Sequence, residues 1–169
     1  MLVEGIILIQ DQLKILKFMS EVTGKMDMTE FASNVEMTPQ EVLEKIHELT
    51  ESGLLQKIGR GYAITEKGKA LLKASASVPE NMQFRFYDGI DNPTDVSANS
   101  GLDFYEKIKA VNDSSIEFHL NRGDFENWIR SAVDDQALAD DLAKMKQSGL
   151  NGANLREEIV KTFETRYSI

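Results

Sequence analysis

Apolar residues recur every three to four positions along most of this chain, and the breaks in that rhythm fall at glycines, prolines and residues that cap helices. Ile9, Leu13 and Leu16, with the offset pair Ile15 and Met19, place an apolar stripe on a first helix. Thr29 is the expected cap of a short second helix that turns Phe31 and Ala32 inward. The third helix is the most clearly marked. Thr38 is its N-cap, Pro39 takes the first helical position, and Glu41 completes a capping box by reaching back to the Thr38 amide. Val42, Leu43, Ile46 and Leu49 follow at helical spacing, and Gly53 ends the helix in a left-handed cap. Two short runs, 54–58 and 62–65, are joined by Gly59-Arg60-Gly61, which makes a tight turn between strands. Thr65 then caps a helix carrying Leu71 and Leu72.

The pattern changes at 74–81, where small residues and a proline predict a linker. Phe84 and Phe86 alternate with polar neighbours, so 83–87 predicts a single short strand, and 88–101 predicts a long loop. Helices follow. Ser100 caps one that bears Phe104, Tyr105, Ile108 and Val111, and Ser114 or Ser115 starts another with Ile116 and Leu120. Gly123 breaks that helix, and Asp124 caps the next, which carries Phe125, Trp128, Ile129, Ala132 and Val133 as one unbroken stripe. A helix from about Asp135 carries Leu138, Leu142 and Met145. The last, capped by Asn154, carries Leu155, Ile159, Phe163 and Tyr167.

Helix, short helix, capped helix, glycine-rich hairpin, helix: carried by Met28-Thr-Glu-Phe-Ala, Thr38-Pro-Gln-Glu, Glu51-Ser-Gly-Leu-Leu and Gly61-Tyr-Ala-Ile-Thr-Glu-Lys-Gly, this order resembles the winged-helix domains of archaeal and bacterial transcription regulators. The expected fold class is therefore α+β and mostly α. An N-terminal winged helix (three-helix core plus β-hairpin wing) spans residues 1–75, and a mainly helical domain spans 102–169, with a linker holding a possible short strand over 76–101. The resemblance implies that the third helix enters the major groove of double-stranded DNA while the wing touches the flanking backbone. By position, Gln40, Lys45 and His47 are then the base-side candidates, and Lys57, Arg60 and Lys67 the phosphate contacts. Two half-sites would call for a homodimer. The apolar segment of Leu2, Val3, Ile6, Ile7 and Leu8 is its candidate interface.

Charge complicates that expectation. The chain carries a net charge of −9. Residues 1–75 hold nine Lys and Arg against eleven Asp and Glu, and the remainder holds ten against seventeen, so the two parts net −2 and −7. A duplex reader ordinarily presents a basic face. The third helix instead offers Glu41, Glu44, Glu48 and Glu51 beside one lysine, and its charges can pair along the helix, as Glu41 with Lys45. The alternative expectation is an interaction module with no affinity for DNA, whose acidic surface suits a basic protein partner.

A second motif, Phe118-His119-Leu-Asn-Arg122-Gly-Asp124-Phe-Glu-Asn-Trp128-Ile-Arg130, resembles an uncharacterised domain of archaeal and bacterial proteins, with similarity from about 84 to 167. No activity comes with that resemblance. Physically, His119 and Arg122 share a helix face and Asp124 opens the next helix, so His119, Arg122 and Arg130 are candidate contacts to an anionic ligand. The competing assignment gives Asp124 to capping, Trp128 to the core, and the arginines to neighbouring acids. With no cysteine, thiolate metal sites, disulfides and cysteine nucleophiles are excluded. Two histidines in different domains, and no phosphate loop or nucleophile elbow, predict a protein that is not an enzyme and takes no metal or cofactor. The apolar run over 2–9 is too short to span a bilayer, and a cytoplasmic location without a membrane partner is expected.

Overall fold

The computed structural model describes the backbone of residues 2–169 and the side-chain surroundings of residues 9–169, so the candidate interface formed by Leu2, Val3, Ile6, Ile7 and Leu8 lies outside the described side chains. The fold is α+β and mostly helical, with two small antiparallel sheets. Two compact units divide it: residues up to Leu72 together with 168–169, and residues 73–167. No helix among the described residues is long and apolar enough to cross a membrane.

In the first unit the order is α1 (Leu2–Glu21), α2 (Met28–Asn34), α3 (Pro39–Glu51), β1 (Leu55–Ile58), β2 (Gly61–Ile64) and the start of α4 (Glu66–Ser75). Ile15 and Leu16 of α1, Val42, Ile46 and Leu49 of α3, and Leu54 and Leu71 are buried together, which is the helical stripe expected from spacing. Phe18 meets Phe31 edge to face at 5.1 Å between α1 and α2. The capping box of α3 is complete: Glu41 N–H donates to Thr38 Oγ1 at 3.2 Å and Thr38 N–H to Glu41 Oε2 at 2.7 Å. Two local expectations change. Asp27, not Thr29, caps α2, accepting from Glu30 N at 2.9 Å. Leu43 leaves the core stripe and stands 48% exposed, because burial of both Val42 and Ile46 turns its side of α3 to water. β1 and β2 pair with Ile58 opposite Gly61, so Gly59 and Arg60 form a two-residue turn. Gly59 there adopts φ +59°, the left-handed value that the first central position of such a hairpin requires.

The second unit builds its core around a hairpin of which the sequence pattern shows only the first strand, expected over 83–87. β3 (Phe84–Gly89) and β4 (Asn92–Ala98) are antiparallel, with Phe84 opposite Ala98 and Gly89 opposite Asn92. The stretch 88–101, expected as a loop, is thus largely strand. Its Asn-Pro-Thr-Asp composition signals a turn, yet Pro93 is tolerated because a two-stranded sheet consists of edges, where a missing N–H costs no ladder bond. α5 (Gly101–Ile108) packs on β4 and α6 (Asp113–Arg122) on β3, while α8 (Gln136–Met145) and α9 (Gly152–Tyr167) close the helical side. Phe104 is central. Its ring lies 5.2 Å from Phe84, 5.0 Å from Phe125, 5.3 Å from Trp128 and 5.7 Å from Phe163. Between α6 and α8 the expected single helix is regular only over α7 (Asp124–Trp128). It widens to a π-turn at Ile129–Val133 and stops at Asp134, φ +60°. α6 starts at Asp113 behind Asn112 rather than at Ser114 or Ser115, and α9 starts at Gly152, two residues before the expected cap Asn154. Ser100 caps α5 as expected, accepting from Asp103 N, and Asp135, at the expected start of the next helix, caps α8 by accepting from Leu138 N.

Candidate functional site

The ladder between β3 and β4 is irregular on both sides of Tyr87, where the register shifts. α6 takes up the groups that the ladder leaves. Ser115 Oγ donates to the Tyr87 carbonyl at 2.8 Å, and one helical turn later His119 Nε2 accepts the Tyr87 N–H at 2.8 Å. Acceptance at Nε2 puts the imidazole proton on Nδ1, which faces Asp124 Oδ2 at 2.8 Å and donates to it. Gly123, at φ +82°, makes this possible by ending α6 in a left-handed cap and turning the chain back. His119 is only 3% exposed. Burial pushes its pKa below the ordinary value, and the Asp124 carboxylate pulls against that less strongly.

Asp124 therefore orients side chains instead of capping α7, whose N-cap is Gly123 with no side-chain bond. Its Oδ2 also accepts from Arg122 Nε at 3.2 Å, and the Arg122 guanidinium lies over the Phe118 ring with Cζ 5.0 Å from the centroid. These groups line a cleft of about 350 Å³ beside the hairpin, shared with Arg85, Tyr87, Ile90 and Asp91. Of the three candidate ligand contacts, His119 and Arg122 meet here. His119 has both ring nitrogens engaged by the protein, so it positions the cleft and has no donor left for a ligand. Arg130 lies elsewhere: its Nε donates to Gln136 at 3.1 Å and a terminal nitrogen to Asp140 at 3.0 Å. That outcome matches pairing with a neighbouring acid. Trp128 packs on Phe104 and donates through Nε1 to the Met82 carbonyl at 2.7 Å. The parts that Arg85, Tyr87 and Ser115 play at this cleft went unnoticed in the sequence. Arg85 follows from the alternation of β3, whereas Ser115 follows only from the i, i+4 relation to His119 once that histidine is placed.

The six DNA-contact candidates occupy the first unit. Gln40 is exposed and donates to Glu44 at 2.8 Å. Lys45 pairs with Glu48 at 2.9 Å, not with Glu41, whose carboxylate is committed to the capping box. His47 faces Glu51 at 3.4 Å. Lys57 and Arg60 are exposed on the β1–β2 hairpin and Lys67 is half-buried at the start of α4. A second cavity, about 780 Å³, opens beside that hairpin between Met19, Val22, Met28, Phe31, Arg60 and Tyr62. The buried Asp135, expected only as the start of a helix, holds the second unit together: it accepts two bonds from Arg166, both at 2.9 Å, and one from the Tyr167 hydroxyl at 3.0 Å. No protein family, curated protein or solved structure matches the chain.

Proposed function

We propose that this chain is a regulatory, non-enzymatic protein. Its first unit, read as a winged helix, docks a basic protein partner through α3, and its second unit serves as the ligand-sensing part. One observation carries the choice of a protein over DNA. The base-side candidates Lys45 and His47 face glutamates of the same helix, Lys45 paired with Glu48 and His47 beside Glu51, while Glu44 adds a further carboxylate to the exposed face. A helix entering the major groove in that state would bring its carboxylates past two rows of phosphates, and it would have few free donors for base edges. The exposed Leu43, set among these acids, suits a protein surface that is basic with an apolar centre. A cysteine-free chain suits a reducing cytoplasm. In the second unit, the engaged nitrogens of His119 leave it unable to act as a base on a ligand, which favours sensing over catalysis.

A second reading, a homodimeric transcription regulator that binds double-stranded DNA, is favoured by Lys57, Arg60 and Lys67, which have no acidic partner among the described residues. Binding of the full-length protein to fragmented genomic DNA at two salt concentrations, with its oligomeric state recorded, separates the two. No retention at either salt is expected. Replacing Glu44, Glu48 and Glu51 by Gln is expected to raise retention at low salt. A few enriched, roughly palindromic fragments, lost on Arg60→Glu with Lys45→Glu, would establish the regulator reading instead.

A further inference from the structure

Arg122 is held as surface arginines ordinarily are not. Its Nε is fixed by Asp124, its plane rests on Phe118, and Asp124 is anchored by a buried imidazole that is itself tied to the backbone of β3. The guanidinium is thus oriented before anything binds, and much of the rotamer entropy that a ligand would otherwise have to offset is already lost. Its two terminal nitrogens have no acceptor among the described residues. A planar fork with free terminal donors is matched by a carboxylate or phosphate. Arg85, on the outward side of β3, lines the same cleft and likewise has no acidic partner among the described residues. Two acids also line it. Asp124 Oδ2 is engaged by its two N–H donors, His119 and Arg122, and Asp91 sits at the exposed tip of the hairpin, where water screens it. The remaining wall is apolar: Phe118, the Tyr87 ring, and Ile90, which is 78% exposed at the turn between β3 and β4. The volume of about 350 Å³ falls at the small end of the ~300–1,000 Å³ typical of small-molecule sites.

We propose that this cleft binds a small oxyanion carried on an aromatic or apolar body. Arg122 takes the oxyanion, Arg85 adds a second positive charge, and Ile90, Tyr87 and Phe118 cover the body. The proposal names the ligand class of the unit read above as the sensing part, but direct titration does not depend on any partner of α3. Binding here with no partner found there would therefore leave this inference standing alone.

Isothermal titration of the full chain with phenyl phosphate, and separately with inorganic phosphate, tests it at low salt. Saturable one-site binding of phenyl phosphate is expected, with inorganic phosphate weaker. Arg122→Gln is expected to weaken phenyl phosphate about tenfold or more, as loss of a charge-assisted contact does. Arg122→Lys keeps the charge without the fork and is expected to fall between. Ile90→Ser is expected to weaken phenyl phosphate and leave inorganic phosphate unchanged. Both positions are exposed, and the urea midpoint of each variant confirms folding. Absence of saturable binding, or binding that Arg122→Gln leaves intact, would overturn the site. Equal affinity for the two probes would overturn the apolar wall.

Discussion

Gly68 lies in the first turn of α4, where a Cβ would strike the Leu54 carbonyl oxygen and stand 2.8 Å from Ile64 Cγ2. The same joint is tied by Thr65, whose hydroxyl donates to Gly53 O at 2.6 Å and accepts from Gly68 N at 3.1 Å. Alanine would gain about 1 kcal/mol of helix propensity at an ordinary helical position. Here the obstacle is backbone, which cannot swing aside, and overpacking of that kind costs about 1–3 kcal/mol. Gly68→Ala is therefore expected to lower the urea midpoint with an unchanged slope. A raised midpoint would show that α4 can shift away from β1. Position 68 also illustrates what can be told from sequence at this scale. Thr38, Thr65 and Ser100 cap helices as their spacing indicates, because a cap is a bond between near neighbours. Asp124 has the same local credentials, yet its carboxylate turns to His119 and Arg122, a choice made by the fold of Gly123 and not by spacing. The His119–Arg122 pairing in one cleft was legible from their i, i+3 relation. The roles were not, because Tyr87 is remote in sequence and consumes the free ring nitrogen of His119.

At the scale of elements, the hydrophobic period locates the helices but not the hairpin of β3 and β4, whose second strand is hidden by turn-forming residues. Nor does it show the π-turn at Ile129–Val133, since an unbroken apolar stripe fits a regular helix equally well. After that turn, Asp135 fixes the start of α8 and joins it to the end of α9. Its carboxylate accepts from Leu138 N, Arg166 and Tyr167. The Arg166 guanidinium and these hydrogen bonds outweigh burial and hold the Asp135 pKa below its ordinary value, while burial pushes that of the Tyr167 hydroxyl far above its own. Removing one partner of a buried pair costs about 3–5 kcal/mol. Since Arg166 keeps 29% of its side chain in water, Asp135→Ala is expected near the low end, about 3 kcal/mol. The control is Asp141→Ala, which breaks a surface pair with Lys144 and is expected to cost less than about 1 kcal/mol. Comparable losses in the two variants, measured by urea unfolding, would mean that Asp135 is no better anchored than a surface acid.

For the whole molecule, acidification pulls stability in two directions. A net charge of −9 relaxes toward zero as the pH falls to the isoelectric point near 4.8, which relieves self-repulsion. His119 acts oppositely. Its folded pKa lies below the ordinary 6.5, so in acid the unfolded chain takes up this proton before the folded one does. The stability it contributes is present above about 6.5 and is lost as the pH falls through the folded value. Asp135, lowered from 3.8, repeats the pattern in a separate window below about 3.8. The sum is hard to read from one curve, but a variant isolates the histidine. Gln in place of His119 can still accept from Tyr87 N–H and does not titrate. At pH 7.5 the variant is expected to be less stable by about 1–3 kcal/mol, the cost of one imperfect buried polar contact. As the pH falls to 5, charge relief acts on both proteins alike, and only the natural chain meets the demand to protonate a buried imidazole. The gap in urea midpoints should therefore narrow. A constant gap would mean that the imidazole titrates as freely as in the unfolded chain. A widening gap would mean that attraction to Asp124 outweighs burial, so that the folded protein holds the imidazolium and the cleft gains positive charge in mild acid.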